Sequence, residues 1–162
     1  MKALFISLLV LTISLIGFAQ STCNIKKAYA FYHVSMPGVQ MADENGNPIP
    51  PKANITRFIY VEYSGTKKPD IKTILYNNTQ LSFSVVSVKA KMVSVGDKKL
   101  NPENNISARK GNSFLKIDLQ PAEGKTMPDA DCKNIVITSK LGNKVCKFYV
   151  VSEKEFVSPP SY

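Results

Sequence analysis

The stretch Ile55-Thr56-Arg57-Phe58-Ile59-Tyr60-Val61-Glu62-Tyr63-Ser64 predicts a β-strand and indicates the fold class of the whole chain. It is rich in β-branched and aromatic residues, which pack well on a pleated surface, and it ends at a glycine, Gly65. After residue 19, no window has the i, i+3, i+4, i+7 apolar spacing of a long amphipathic helix. We therefore expect an all-β protein.

Similar patterns lie on both sides of this stretch. They predict strands at 26–35, 71–76, 80–95, 113–119, 134–140 and 144–152, and a weaker strand at 105–109. Turn residues such as Pro69-Asp70 and Gly142-Asn143 separate them. Seven to eight short strands at this spacing predict an antiparallel β-sandwich of immunoglobulin-like type, with a small β-barrel as the alternative.

The last two strands predict a definite hairpin register. If Gly142 and Asn143 form a two-residue type II′ turn, Ser139 lies opposite Cys146, and Ile137 lies opposite Phe148. This register turns the Cys146 side chain inward. In 80–95 the apolar phase shifts by one residue near Val85, which predicts a bulge or bend there and a strand that crosses between sheets.

The first 19 residues have the layout of a secretory signal peptide. Lys2 precedes an apolar run that ends with small residues at Gly17 and Ala19. Because the run is shorter than the roughly 20 residues of a membrane-spanning helix, we expect cleavage rather than anchoring. We therefore predict a secreted or periplasmic protein, with no membrane span after cleavage and a single domain at 20–162.

Three cysteines in an exported chain imply one disulfide and one remaining thiol. In the hairpin register Cys132 lies seven residues along from Cys146, or over about 20 Å, which is too far for a disulfide. Counting the strands alternately up and down puts Cys23 at the same end of the fold as Cys132. We therefore predict a bridge between Cys23 and Cys132, with Cys146 as a buried thiol.

The chain is basic, and its positive charges are almost all lysines. The net charge is +9, and losing Lys2 with the signal leaves +8. Only two arginines, Arg57 and Arg109, are present, so the chain lacks the planar forks that read base edges, and we expect no nucleic-acid partner. The turn lysines Lys67, Lys68, Lys98 and Lys99 are predicted to meet at one end of the fold and to form an anion-binding patch.

Few residues offer catalytic or metal-binding chemistry. His33 is the only histidine, so a zinc site built on two histidines is excluded, and we expect neither a metal nor a cofactor. Asp43, Asn45 and Asn47 have the spacing of a calcium loop, but residue 12 of that loop is Asn54 instead of Glu, and Asn45-Gly46 is more typical of a hairpin tip.

The sequence therefore favours a non-enzymatic binding or structural protein. Its partner would be an envelope protein assembly or an anionic envelope polymer, and its binding residues are expected on the long segments 37–54 and 120–133. The alternative is a small hydrolase or thiol enzyme that uses Cys146 and His33.

Overall fold

The computed structural model describes residues 23–35, 41–49, 54–96, 105–124, 127 and 134–156. Within these ranges the chain is all strand and turn, which confirms the all-β prediction. The strands are β1 Ile25–Ser35, β2 Met41–Ala42, β3 Pro48–Ile49, β4 Asn54–Ser64, β5 Asp70–Tyr76, β6 Thr79–Val88, β7 Met92–Ser94, β8 Asn105–Ser107, β9 Asn112–Gln120, β10 Ile135–Leu141, β11 Lys144–Val150 and β12 Glu153–Glu155.

Eight of these strands form one mixed sheet that curls into a half-barrel. Their order is β11-β10-β5-β6-β9-β4-β1-β12, and the pairs β2-β3 and β7-β8 form two small sheets. The predicted sandwich is therefore confirmed only in its coarse, all-β form, since the main strands belong to one curled sheet. The curl brings the two ends of the strand order close together, because β1 also pairs with β12, the chain's continuation beyond β11.

The concave face of the sheet holds the main hydrophobic core. Strand β4 contributes Ile59 and Val61, and β9 contributes Ile117; all three side chains have no exposed surface. The strands β4 and β9 lie side by side, with Ile59 opposite Ile117. Burying such side chains stabilises the fold by about 1.5 to 3 kcal/mol each.

A second apolar cluster covers part of the convex face. Phe114 and Tyr60 from the main sheet pack with Ile106 of β8 and with Val95, which directly follows β7. Strand β4 is therefore covered on both faces over part of its length. This explains why residues 58–61 form an unbroken apolar run instead of an alternating pattern.

The predicted hairpin register is confirmed. Ser139 pairs with Cys146, and Ile137 pairs with Phe148. Gly142 has a φ of 62°, as the first position of a type II′ turn requires. Cys146 is buried, as the register predicted.

The predicted bulge near Val85 is wrong, because β6 and β9 pair without interruption from Ser82 to Val88. The phase shift reflects two different apolar surroundings. Phe83 faces the concave core, whereas Val88 packs in the convex cluster. The chain then continues into β7, which belongs to a different sheet, so the predicted crossing between sheets is confirmed.

The segment around Asn45-Gly46 is a hairpin tip, as expected. Strands β2 and β3 pair antiparallel across it, and Gly46 has a φ of 82°. The carboxylate of Asp43 accepts hydrogen bonds from the backbone amides of Asn45 and Asn47, at 2.9 Å and 2.8 Å. These are turn-forming bonds within the chain.

The predicted disulfide is wrong. Cys23 is bonded to Cys146, and the two Cα atoms are 5.7 Å apart. Cys23 therefore does not pair with Cys132, which lies outside the described residues, and Cys146 is not a free thiol.

The error has a topological cause. The prediction counted 105–109 as a strand that crosses the main sheet, but β8 pairs only with β7 in a side sheet. Without that crossing, Ile135 at the start of β10 lies beside Tyr76, at the end of the fold opposite to Cys23. Curling of the sheet brings β11 next to the start of β1 instead.

Candidate functional site

The place where the half-barrel fails to close is the candidate site. Six successive antiparallel pairings lead across the sheet from β1 to β11, so β1 and β11 run in the same direction. Among the described residues, no backbone ladder joins β1 directly to β11. We call this gap the seam.

The disulfide between Cys23 and Cys146 closes the first end of the seam. Cys23 comes two residues before β1, and Cys146 is the third residue of β11. A covalent link at this point keeps the starts of β1 and β11 together without pairing their backbones. Beyond the disulfide, no backbone ladder joins the described residues of the two strands.

Strand β12 closes the other end. After Val150 the chain makes a two-residue step, and Glu153–Glu155 then pairs in parallel with Ala30–Tyr32 of β1. The backbone amide of Phe156 extends this contact by donating a hydrogen bond to the carbonyl of Tyr32, at 2.6 Å. The seam is thus a slit with both ends closed.

A buried polar group fixes β12 in this position. Arg57 and Glu153 form an ion pair with Nε and Oε2 3.4 Å apart, and their side chains are 0% and 3% exposed. The hydroxyl of Tyr76 donates to Glu153 and accepts from Nε of Arg57, at 3.1 Å in the second case. Nη1 and Nη2 of Arg57 have no hydrogen-bond acceptor among the described residues. The carboxylate of Glu153, paired with Nε, supplies the counter-charge of Arg57.

A cleft of about 470 Å³ lies along the seam. Its volume is in the range of sites that bind small molecules or short segments, roughly 300 to 1,000 Å³. The lining is mainly apolar and comes from both edges and from the convex cluster, and its apolar members are Ala28, Tyr29, Ala30, Phe31, Val95, Ile106, Phe148, Tyr149, Val150 and Val151.

The charged residues of the lining are mostly lysines. Lys26 and Lys27 lie at the start of β1, and Lys154 and Glu155 lie on β12. All four are exposed. The mouth of the cleft is therefore net positive and favours a partner that carries negative charge.

Apolar side chains beside the cleft are left open to solvent. Val145 and Tyr149 on β11 are 53% and 46% exposed, and Val151 just after it is 79% exposed. Together with the cleft, these side chains form an apolar strip along one free edge. Such strips beside a cleft are typical of binding surfaces.

The predicted lysine patch is described only in part. Lys67 and Lys68 are exposed in the turn between β4 and β5, whose backbone is held by Asn24 through a 2.7 Å bond to the carbonyl of Lys67. Lys98 and Lys99 lie outside the described residues. The structure therefore places two of the four predicted lysines on an exposed turn.

The structure does not bring Cys146 and His33 together. The sulfur of Cys146 is in the disulfide with Cys23. His33 lies on β1, ten residues after Cys23, which is about 30 Å along an extended chain. His33 is half-buried, as expected for a strand histidine, and its Nδ1 is 3.0 Å from the carbonyl oxygen of Phe156. His33 thus contributes to the β1-β12 end of the seam.

Neither a metal cluster nor a spanning helix occurs in the part of the chain that the structure describes. No three His, Cys, Asp or Glu side chains are grouped so that they could hold an ion there. No helix there is long and apolar enough to cross a membrane.

The sequence analysis missed one signal, which concerns the ion pair that holds β12. Arg57 and Glu62 interrupt an otherwise apolar strand, and both are buried, at 2% and 1% exposure. Charged residues are almost never fully buried unless they are paired. A charged residue in the middle of this apolar strand therefore indicated that Arg57 has an acidic partner elsewhere in the chain. The sequence alone did not show that this partner is Glu153.

Comparisons with protein-family models, with curated proteins and with solved structures find no match to this chain. Function is therefore inferred from the seam itself.

Proposed function

We propose that this protein is a secreted or periplasmic, non-enzymatic binding protein that holds an acidic segment of an envelope protein in the cleft along the seam. The observation that carries this proposal is the composition of the cleft. Apolar side chains line a space of about 470 Å³, and three lysines against one glutamate stand at its mouth. An acidic partner with some apolar side chains complements such a surface.

Two features support the extracytoplasmic location. The first 19 residues have the layout of a signal peptide, and a disulfide links Cys23 to Cys146. Disulfides form and persist in oxidising compartments and are rare in the cytosol. Both features are expected of an exported protein.

The chemistry of the cleft supports binding over catalysis. Among the described residues, the lining consists of lysines, one glutamate, one serine and apolar side chains, and holds neither a histidine nor a thiol. A thiol enzyme built on Cys146 and His33 is the weaker proposal, because a disulfide sulfur is not a thiolate nucleophile.

A second candidate partner is an anionic envelope polymer held by the turn lysines. Lys67 and Lys68 are exposed and lie outside the lining of the cleft. Binding by such a patch would be almost purely electrostatic and would be lost as salt screens it. The cleft adds apolar contacts, so a partner held there should resist salt better.

The two candidates are separated by a matched pair of charge reversals. Tagged mature protein, a Lys27→Glu/Lys154→Glu variant and a Lys67→Glu/Lys68→Glu variant are incubated with the native cell envelope at low and at high salt, and bound material is quantified by mass spectrometry. Each variant changes the net charge by the same amount, so each is the control for the other.

The proposal expects one stoichiometric protein that remains at high salt, that the turn variant retains and that the cleft variant loses. If only the Lys67→Glu/Lys68→Glu variant loses the partner, or if a polymer is bound in place of a protein, the turn lysines are the binding site. Equal retention by all three proteins would contradict both candidates.

A further inference from the structure

We propose that two copies of this chain associate through β6, whose free edges pair antiparallel across a twofold axis at Val85. The association is separate from the proposed function, because none of the residues of β6 lines the cleft. In the strand order, β6 lies three positions from β1 and three positions from β11, so it is on the side of the half-barrel opposite the seam.

The outer edge of β6 is free over most of its length. On one side, β6 pairs with β9 from Ser82 to Val88. On the other side, it pairs with β5 only from Thr79 to Leu81. Beyond that point β5 continues along β10 alone, so no strand among the described residues covers the outer edge of residues 82–88.

The turn before β6 shows which backbone groups this edge presents. Asn77 and Asn78 form a two-residue loop with φ values of 46° and 66°, which is typical of a type I′ turn. Tyr76 and Thr79 on its two sides are therefore a hydrogen-bonded pair, and the direction of the peptide groups alternates from there along β6. The peptide groups that point outward, away from β9, are those of Phe83, Val85 and Ser87.

The side chains along this edge are uncharged and largely exposed. Val85 and Val86 lie on opposite faces of β6 and are 42% and 54% exposed. Ser84 and Ser87 on either side of them are exposed as well. The ten residues of β6 include no charged residue, glycine or proline. A long, uncharged and uncovered strand edge is a template for pairing with another chain.

The two outermost strands of the main sheet are protected in a way that β6 is not. Strand β12 is three residues long and reads Glu153-Lys154-Glu155, and β11 carries exposed Lys144 and Lys147. Short edge strands and charged side chains, lysine above all, are the usual devices that prevent sheets from pairing with each other. Their absence from β6 indicates that this edge is occupied in the assembled protein.

A second copy is the occupant that fits this edge, because pairing two such edges covers both at once. With Val85 opposite Val85 of the second copy, all seven residues from Ser82 to Val88 have a partner. Phe83 then pairs with Ser87, and the outward peptide groups of the two copies exchange about six hydrogen bonds. The interface is isologous, so it is complete in a dimer and does not propagate.

The basic charge of the chain decides the direction of pairing. The net charge is +9, or +8 without Lys2, and Lys89 and Lys91 follow directly after β6. A parallel, in-register pairing would set Lys89 beside Lys89 of the second copy. In the antiparallel pairing, Lys89 lies opposite Leu81 instead, so the two Lys89 residues are about 27 Å apart along the strands. This distance exceeds the Debye length of about 8 Å at physiological salt, so their repulsion is screened.

The size of the interface predicts a reversible dimer. Seven residues from each copy are fewer than the roughly 20 to 30 a side of a standard stable interface. The dimer should therefore form and dissociate with concentration. It would present two clefts, since the seam of each copy lies three strands away from the contact.

Sedimentation equilibrium tests for the dimer. The mature, disulfide-bonded protein is measured at concentrations up to about 1 mM, at which a dimer with a dissociation constant of that size is half formed. We expect a reversible equilibrium between monomer and dimer. It should persist in Cys132→Ser, because this variant cannot form a disulfide between copies through that residue. A monomer at every concentration, or a dimer that Cys132→Ser loses, would overturn the proposal.

Hydrogen exchange locates the contact. In dilute, monomeric protein the amides of Phe83, Val85 and Ser87 should exchange quickly, and in the concentrated dimer they should be protected. The amides of Ser84 and Val86 point toward β9 and should be protected in both. If the first three amides are already protected in the monomer, or stay unprotected in the dimer, the free edge of β6 is not the interface.

A charge at the axis tests the register. Val85→Lys places two lysines opposite each other and should weaken the dimer at least about fivefold. Val145→Lys on β11 is the matched control, because it makes the same change at a side chain that is 53% exposed against 42% for Val85. The control should leave the dimer unchanged. Equal effects of the two variants would assign the loss to net charge and contradict the proposed contact.

A mixture of variants tests the twofold symmetry. Val85→Glu should weaken the dimer in the same way as Val85→Lys, since two carboxylates then face each other. An equimolar mixture of the two variants should associate more tightly than either variant alone, because opposite charges meet across the axis. Protected amides between β4 and β9 show that both variants are folded. A mixture that is no tighter than the separate variants would rule out the axis at Val85.

The outcomes for the dimer and for the cleft are distinguishable. The Lys27→Glu/Lys154→Glu variant should lose the envelope partner and still dimerise, whereas Val85→Lys should lose the dimer and still retain the partner. If Val85→Lys loses the envelope partner and the native protein stays monomeric, the edge of β6 binds another protein and the proposed dimer is wrong.

Discussion

The two sides of the half-barrel are held together by different means. On the side formed by β4, β9 and β6, backbone ladders run over seven or more residue pairs, and the side chains between them form the core. On the seam side, the described residues of β1 and β11 are linked at the two ends, by the Cys23–Cys146 disulfide and by β12. The contrast shows that this sheet is closed by point links, which leave a binding cleft between them.

The largest effect is expected from removing the disulfide. Cys23→Ser, Cys146→Ser and the double variant should each lower the free energy of unfolding by about 4 to 5 kcal/mol, because the bond closes a loop of over 100 residues. Equilibrium denaturation measures this loss. The double variant should add little to either single variant, since all three break the same bond.

A peptide map of the unreduced protein supplies the decisive check on that pairing. It should contain a fragment that links Cys23 to Cys146. A fragment that links Cys23 to Cys132 would restore the pairing predicted from the sequence and would remove the first point link.

Stability should depend nearly as strongly on the second link, strand β12, which the Arg57–Glu153 ion pair holds. Glu153→Gln keeps the shape of the side chain but leaves the buried Arg57 without its counter-charge, so we expect a loss of about 3 kcal/mol. Glu155→Gln on the same strand is the matched control, because Glu155 is exposed and should change stability little. If both variants lose the same stability, the ion pair does not hold β12.

The ladder side should tolerate a small deletion better than the seam tolerates loss of a link. Ile59→Val removes one methylene from a fully buried side chain and should cost about 1 kcal/mol. The amides between β4 and β9 should remain protected from hydrogen exchange. Loss of protection along the whole ladder would mean that this side depends on single contacts as the seam does.

The smallest effect is expected at the β2-β3 hairpin, which belongs to neither side. Hydrogen bonds from the side chain of Asn47, and then from the backbone amides of Asn47 and Asn45, lower the pKa of Asp43. Because the folded pKa is below the unfolded value, the contribution of Asp43 is present above the ordinary Asp range. It is lost as the pH falls through the lowered pKa.

An NMR titration should therefore show the amide signals of Asn45 and Asn47 moving at acidic pH. The core amides of β4 should not move in that range. Asp43→Ala should abolish the transition and lower the denaturation midpoint only slightly, because the hydrogen bonds of Asp43 are exposed. A transition that persists in this variant would assign the titration to another group.

The longer strands were predictable from the sequence because each carries a local pattern, whereas the three-residue strand β12 was not predicted. The hairpin of β10 and β11 was predicted to the residue, since a two-residue turn fixes its register. The pairing of distant strands was not predictable in this way. Asn105–Ser107 has the same strand-like pattern whether it crosses the main sheet or pairs in a side sheet, and that ambiguity produced the wrong disulfide.

The candidate site was harder to predict than the fold. Lys26 and Lys27 look like ordinary solvated residues at a strand start, and they are exposed. Only the curl of the sheet puts them beside Phe148 and Tyr149, which are more than 120 residues away in the chain. The parts of the expected loop segments that the structure describes, 41–49, 54, 120–124 and 127, contribute no residue to the lining of the cleft.

The parallel pairing of β12 with β1 has a consequence for how the chain matures. Ala30 meets Glu153, so this contact joins residues 123 positions apart, and the disulfide joins Cys23 to Cys146 over the same separation. Contacts between such distant residues form late, because the entropy of closing the intervening loop opposes them. During synthesis, the outer edge of β1 therefore stays uncovered until the last strands emerge. In that interval this edge is open to pairing with other chains.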